Sequence, residues 1–157
     1  MSGVSLRLVR RRTASGRAAA ALGIACLVRA VGAPASPAQD YMLYCMGCHG
    51  SEAQGVPGKV PPLAHSLGKF MRTNAGRNYI LRVPGAQNSV LSDEQLAAVL
   101  NWLAKTYSAD DLLADTSWFT TAEVSALRHQ PLAAVLDARR EVVRGLAASG
   151  AAPPAQY

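Results

Sequence analysis

Two cysteines and a histidine fall within five consecutive residues, Cys45-Met46-Gly47-Cys48-His49. On one helical turn both thiols can reach neighbouring groups on the edge of a single planar ring, and the adjacent imidazole can turn towards its centre. Cys-x-x-Cys-His is the attachment sequence of c-type haem, whose iron is bound by the histidine. The motif therefore predicts one haem c, attached covalently to Cys45 and Cys48, with His49 as an axial iron ligand.

Two other chemistries use closely spaced cysteines. A redox-active Cys-x-x-Cys pair follows a strand at a helix N-terminus in a thioredoxin-like βαβ setting, which this chain lacks. A structural zinc ion needs four ligands, and only His65 and His129 remain to complete such a set. The sequence therefore favours haem attachment over either alternative.

The N-terminal residues resemble an export signal. Residues 1–39 hold six arginines and no acid, and an apolar stretch over 18–28 is followed by small and Pro-rich residues over 32–38. The apolar stretch is short for a membrane span and ends at Arg29, so we expect no stable membrane anchor. Residues 1–38 are predicted to be a signal peptide cleaved within 33–38, which would remove Cys26 and place the mature protein in the periplasm.

The formal net charge of +6 comes mostly from this leader. Without its six arginines, the remaining chain has as many acidic as basic side chains. A mature protein near neutrality does not present the electrostatic signature of a nucleic-acid-binding protein. No nucleic-acid partner is expected.

Helical periodicity and capping signals predict a mostly α chain. A short helix should begin near Asp40 and run into the haem motif, followed by a Gly- and Pro-rich loop over 50–65. A short helix is expected over 66–72 and a loop over 74–89. The strongest signal predicts a helix over 93–106, where Ser92 and Gln95 match a capping box.

Two further helices are expected after Ser108. Thr120 and Glu123 match a second capping box, and Pro131 suits the first turn of a last helix that reaches about residue 146. The Ala- and Pro-rich residues 148–157 are expected to form a disordered tail.

Residues 40–107 resemble the small soluble class I monohaem cytochromes c. The resemblance rests on the haem motif followed by Gly50, on the loop ending Val60-Pro61-Pro62-Leu63, and on a final amphipathic helix with Trp102. It implies a class I cytochrome c-like helical domain around one haem, followed by a helical extension over 108–147. It also implies that the first and last helices cross near Trp102 and either Tyr41 or Tyr44. The carbonyl of Pro61 or Pro62 would accept a hydrogen bond from the ring N–H of His49.

The sequence departs from this family at the second iron ligand. Family members usually supply a methionine just before the last helix, whereas residues 83–91 contain none. Met71 is the leading candidate for a sixth ligand, although a methionine on a helix is commonly a core residue. His65 is a second candidate, and Asn88 or an open, water-bound position are weaker alternatives.

The expected function is electron transfer by a periplasmic monohaem cytochrome, between a dehydrogenase or cytochrome donor and a terminal acceptor. No catalytic pair indicates an enzyme. One alternative is a haem enzyme or small-ligand-binding haem protein with an open or weakly held sixth position. Another is a cytochrome subunit whose extension binds a larger dehydrogenase.

The partner is expected to be a redox protein, and the distribution of basic residues suggests that it is acidic. Five basic side chains could form an electropositive rim that steers such a partner: Lys59, Lys69, Arg72, Arg77 and Arg82. The alternative interpretation is a solvated charged face with no role in binding.

Overall fold

The computed structural model describes residues 35–154. The predicted signal peptide lies outside the described residues except for positions 35–38, and residues 155–157 of the predicted tail lie outside them as well. Residues 35–154 belong to one compact unit. Within this range the backbone is helical, apart from loops and an isolated bridge between Val56 and Val60, so the predicted mostly α fold is confirmed. Among these helices, none combines the length and the apolar character needed to cross a bilayer.

The first helix, α1 (Pro37–Tyr44), leads into the haem motif. Ser36 caps it, because its hydroxyl accepts from the backbone N–H of Gln39 while the Gln39 side chain accepts from the N–H of Ser36. The next helix, α2 (Met46–His49), is a single turn that ends at Gly50 with a φ of 80°. Glycine adopts this conformation without strain, so the chain can turn sharply directly after the histidine.

The predicted loop over 74–89 is wrong. After α3 (Leu67–Met71), the chain forms α4 (Asn74–Arg82), capped by the side chain of Thr73, and then the short α5 (Pro84–Gln87). The asparagine, glycine and proline residues of this stretch are weak helix formers, which concealed both helices. Burial stabilises α4 instead, through the apolar side chains of Tyr79, Ile80 and Leu81.

The predicted capped helix is confirmed as α6 (Asp93–Tyr107). Ser92 accepts from the backbone N–H of Gln95, and the Gln95 side chain accepts from the N–H of Ser92. The buried side chains of α6 repeat at helical intervals and supply much of the core: Leu96, Ala97, Val99, Leu100, Leu103 and Ala104.

Helices α1 and α6 pack against each other through aromatic side chains. The ring of Tyr41 lies 5.6 Å from that of Trp102 and 6.3 Å from that of Tyr107. Tyr41 is buried, whereas Tyr44 is 52% exposed. The helix crossing therefore uses Tyr41 rather than Tyr44.

The extension contains a 3₁₀ turn (Ala109–Asp111), α7 (Thr121–Leu127) and α8 (Val135–Ala148). The prediction that Pro131 lies in the first turn of the last helix is wrong, because that helix begins four residues later. The carbonyl of Pro131 accepts instead from the guanidinium of Arg82 on α4.

The chain remains packed after α8, where the disordered tail was expected to begin. The N–H of Ala151 donates to the carbonyl of Leu146, and the Ala151 side chain is 5% exposed. Ala151 therefore packs in the core just beyond the end of α8.

Four arginines join the extension to the helices before it. Each donates to backbone carbonyls across this boundary: Arg72 to Asp111, Arg77 to Ser117 and Trp118, Arg82 to Gln130 and Pro131, and Arg128 to Ser89 and Leu91. Arg77 also pairs with the carboxylate of Glu123, and Arg128 with that of Asp93. Hydrogen bonds from charged donors are stronger than neutral ones, so these contacts make the extension an integral part of the fold.

Candidate haem site

A cavity of about 400 Å³ lies beside α2, and Cys45, Cys48 and His49 all line it. Its wall draws on α1 to α6 and on α8. Most of that wall is apolar and includes Leu67, Phe70, Ile80, Val99, Leu100 and Leu103. The two predicted attachment residues and the predicted iron ligand therefore face one large apolar space.

The ring of His49 is held by the loop that follows the motif. Its Nδ1 lies 3.2 Å from the carbonyl oxygen of Pro61, so an N–H at Nδ1 donates to that carbonyl and leaves Nε2 available for a metal. Pro62 also lines the cavity, but it is Pro61 that makes this contact. Burial lowers the pKa of His49 and outweighs the opposing effect of the Pro61 carbonyl. Neutral imidazole, which this shift favours, is the form that binds metals.

Cys45 does not have the character of an activated redox thiol. Cys45 is half-buried and Cys48 is exposed. Burial raises the pKa of Cys45, and the nearby Asp40 and Cys48 raise it further. The nucleophilic thiol of a redox-active pair has a lowered pKa, which is the opposite of the shift at Cys45. Across residues 35–154, no group of three His, Cys, Asp or Glu side chains is placed to match the zinc alternative.

No protein-family profile matches the chain. Cytochrome c-552 from Thermus thermophilus is 32% identical over 106 residues, covering 56% of this chain and 81% of the relative. A second cytochrome c-552 from Thermus thermophilus is 32% identical over 106 residues, covering 72% of its length. The chain belongs to the small monohaem c-type cytochromes. It is accordingly an electron carrier rather than an enzyme, and its cofactor is haem c with iron.

The cavity of this cytochrome fits that cofactor. A porphyrin is a broad apolar ring that carries carboxylate groups, and the cavity combines an apolar wall with the cationic side chains of Lys59 and Arg139. The thiols and the imidazole on the same wall match the donor set of a c-type haem.

The structure does not bring the candidate sixth ligands to the cavity. Met71, on α3, is 4% exposed and packs in the core, and it is absent from the cavity wall formed by the described residues. His65 lies at a separate cavity, with a φ of 53° and its N–H donating to the carbonyl of Tyr107. Asn88 follows α5 and is also absent from that wall. The geometry therefore gives no support to Met71 as an iron ligand.

Two residues of the cavity wall come from the extension and were not predicted. Val135 and Arg139 project from α8, and the Arg139 guanidinium lies 5.3 Å from the ring of Phe70. The apolar periodicity of α8 indicates a buried face. Nothing in that pattern tells whether the face meets the core or the cavity, because the answer depends on how the helix docks.

Four of the five residues of the predicted electropositive rim form hydrogen bonds or ion pairs within the molecule. Lys59 is exposed at the cavity wall. Lys69 lies 3.4 Å from the carboxylate of Asp111, and three arginines of the set, Arg72, Arg77 and Arg82, bind the extension. Of the five residues, Lys59 is the one that lines the cavity formed by the described part of the chain.

Proposed function

We propose that this cytochrome is an exported, periplasmic carrier with a single haem, attached to Cys45 and Cys48 and bound through His49. It would pass electrons from a dehydrogenase or another cytochrome to a terminal acceptor. The observation that carries this proposal is the shared apolar cavity, where both thiols and the oriented imidazole meet.

The haem, when bound, supplies a one-electron iron couple. The residues of the chain hold and shield it. The Pro61 carbonyl fixes the orientation of His49, and the apolar wall excludes water, which keeps the surroundings similar in both oxidation states. The hydroxyl of Tyr41 donates to the carbonyl of Gly50 at 2.5 Å, which ties the end of α2 to the crossing of α1 and α6.

The proposed partner is an acidic redox protein that docks near the exposed Lys59. A positive charge at this edge would steer an acidic surface towards the cavity. The arginine contacts that hold the extension favour a free carrier over a subunit of a larger dehydrogenase, since they engage the extension within the molecule.

Covalent haem attachment tests this proposal. Produced in a host with cytochrome-maturation machinery, the wild-type protein should retain its haem through acid-acetone extraction, and Cys45→Ala with Cys48→Ala should lose it. The exported protein should have a new N-terminus within residues 33–38 by intact-mass analysis. Extractable haem in the wild type, or no reversible one-electron couple by voltammetry, would rule out the proposed carrier.

A further inference from the structure

One stretch of the cavity wall is held by local contacts. Residues 83–86 and Ser89 line the cavity, and we refer to residues 84–91 as the wall segment. Among the described residues, the wall segment forms hydrogen bonds only within itself and with the adjacent Val83, with one exception. Typical local bonds are those from the N–H of Gln87 to the carbonyl of Val83 and from the N–H of Asn88 to that of Pro84.

The exception is Arg128, which ends α7 in the extension and is 4% exposed. Its guanidinium donates to the carbonyls of Leu91 at 2.8 Å, Ser89 at 2.6 Å and Ala86 at 3.4 Å. It also donates to the carboxylate of Asp93 at 2.9 Å. A single buried cation therefore gathers three carbonyls of the wall segment, and two of those carbonyls belong to residues that line the cavity.

These contacts restrain the backbone of the wall segment. A buried guanidinium must keep its partners, because a buried charge without them is strongly unfavourable. The planar fork of arginine also fixes the directions of its donors, so the three carbonyls are held relative to one another. The exposed side chain of Val90 contributes little to this restraint, whereas the buried Leu91 anchors the end of the segment.

We propose that Arg128 is a positioning residue for the haem cavity. Acting from the extension, it holds the wall segment in place and thereby limits how readily small molecules from solvent reach the cavity. This inference rests on the proposed function, since it assumes that the cavity holds the haem. It gives the extension a role at the cofactor, whereas the sequence alone suggested only that the extension could bind a partner.

The test compares Arg128→Gln with Arg77→Gln in the holoprotein. Arg77 is a matched control, because it is also buried, binds backbone carbonyls and a carboxylate across the same boundary, and does not contact the wall segment. Two rates are measured: amide hydrogen exchange over residues 86–91, and binding of carbon monoxide to the reduced protein. Arg128→Gln should raise both by about tenfold or more, since several charge-assisted hydrogen bonds are lost. Arg77→Gln should leave both near the wild-type rates.

Equal acceleration in the two variants would overturn the proposal, because it would indicate general loosening. Wild-type rates in Arg128→Gln would overturn it as well. If Arg128→Gln does not fold, Arg128→Lys replaces it in the same comparison, since lysine keeps the charge but cannot match three carbonyls with a planar fork. Absence of covalent haem in the wild type would count against the proposed function, while the amide exchange rates would still test Arg128.

Discussion

Substitution of Met71 separates a core residue from an iron ligand. The side chain lies on α3, is 4% exposed and packs in the core, so Met71→Ala should lower the free energy of unfolding by about 2–5 kcal/mol through lost burial and a residual cavity. Met71→Leu nearly conserves the volume and should cost less than about 1.5 kcal/mol. Leucine removes the sulfur without leaving a cavity, which makes it the sharper variant.

The assay pairs denaturant unfolding, followed by far-ultraviolet circular dichroism, with visible absorption of both oxidation states. If Met71 is a core residue, both variants should keep the wild-type spectrum and potential, and only Met71→Ala should lose much stability. Loss of the weak far-red band of iron–methionine ligation in Met71→Leu, with a lower potential, would refute the reasoning. It would show that haem binding draws Met71 out of the core.

Three further predictions concern charge and titration. Lys59→Glu should slow association with an acidic partner at low salt, as followed by stopped-flow, whereas Lys69→Glu should mainly reduce stability because Lys69 pairs with the extension. The hydrogen bond from Arg128 lowers the pKa of Asp93. The stabilisation that follows is therefore present above the usual pKa of Asp93 and is lost as pH falls through the lowered one, so Asp93→Asn should flatten the acid side of the stability profile. Burial raises the pKa of Tyr41 to about 12, so ultraviolet titration should show it protonated at pH 10, and Tyr41→Phe should cost about 1 kcal/mol.

The helices that the sequence predicts correctly are those marked by local signals. The capping box of Ser92 and Gln95 marks the start of α6 because cap and helix are neighbours in the chain. Helix α4 has a capping threonine, Thr73, but no capping box, and its asparagines and glycine are weak helix formers. Its stability comes largely from burying Ile80 and Leu81. The start of the last helix was misplaced for the same reason, because Arg82 takes the carbonyl of Pro131 from far along the chain.

The haem site shows the same contrast between local signals, which can be read from the sequence, and contacts that depend on the fold. The haem motif could be read from five adjacent residues, and the resemblance to cytochromes c pointed to a proline near His49. Only the folded structure distinguishes Pro61 from Pro62, because their carbonyls differ in direction rather than in chemistry. The roles of Arg77 and Arg139 are equally invisible in the sequence, where an arginine that binds a carbonyl is identical to one that meets solvent or a partner.

The two sides of the arginine contacts at the extension should tolerate substitution to different degrees. Their acceptors are mainly backbone oxygens, which every amino acid provides, so positions such as Ser117 and Gln130 can change side chain without losing the contact. The donors have no such freedom, since no other residue offers the same fork. Over evolutionary time, the extension could therefore diverge widely in sequence while remaining attached in the same way, provided that the arginines persist.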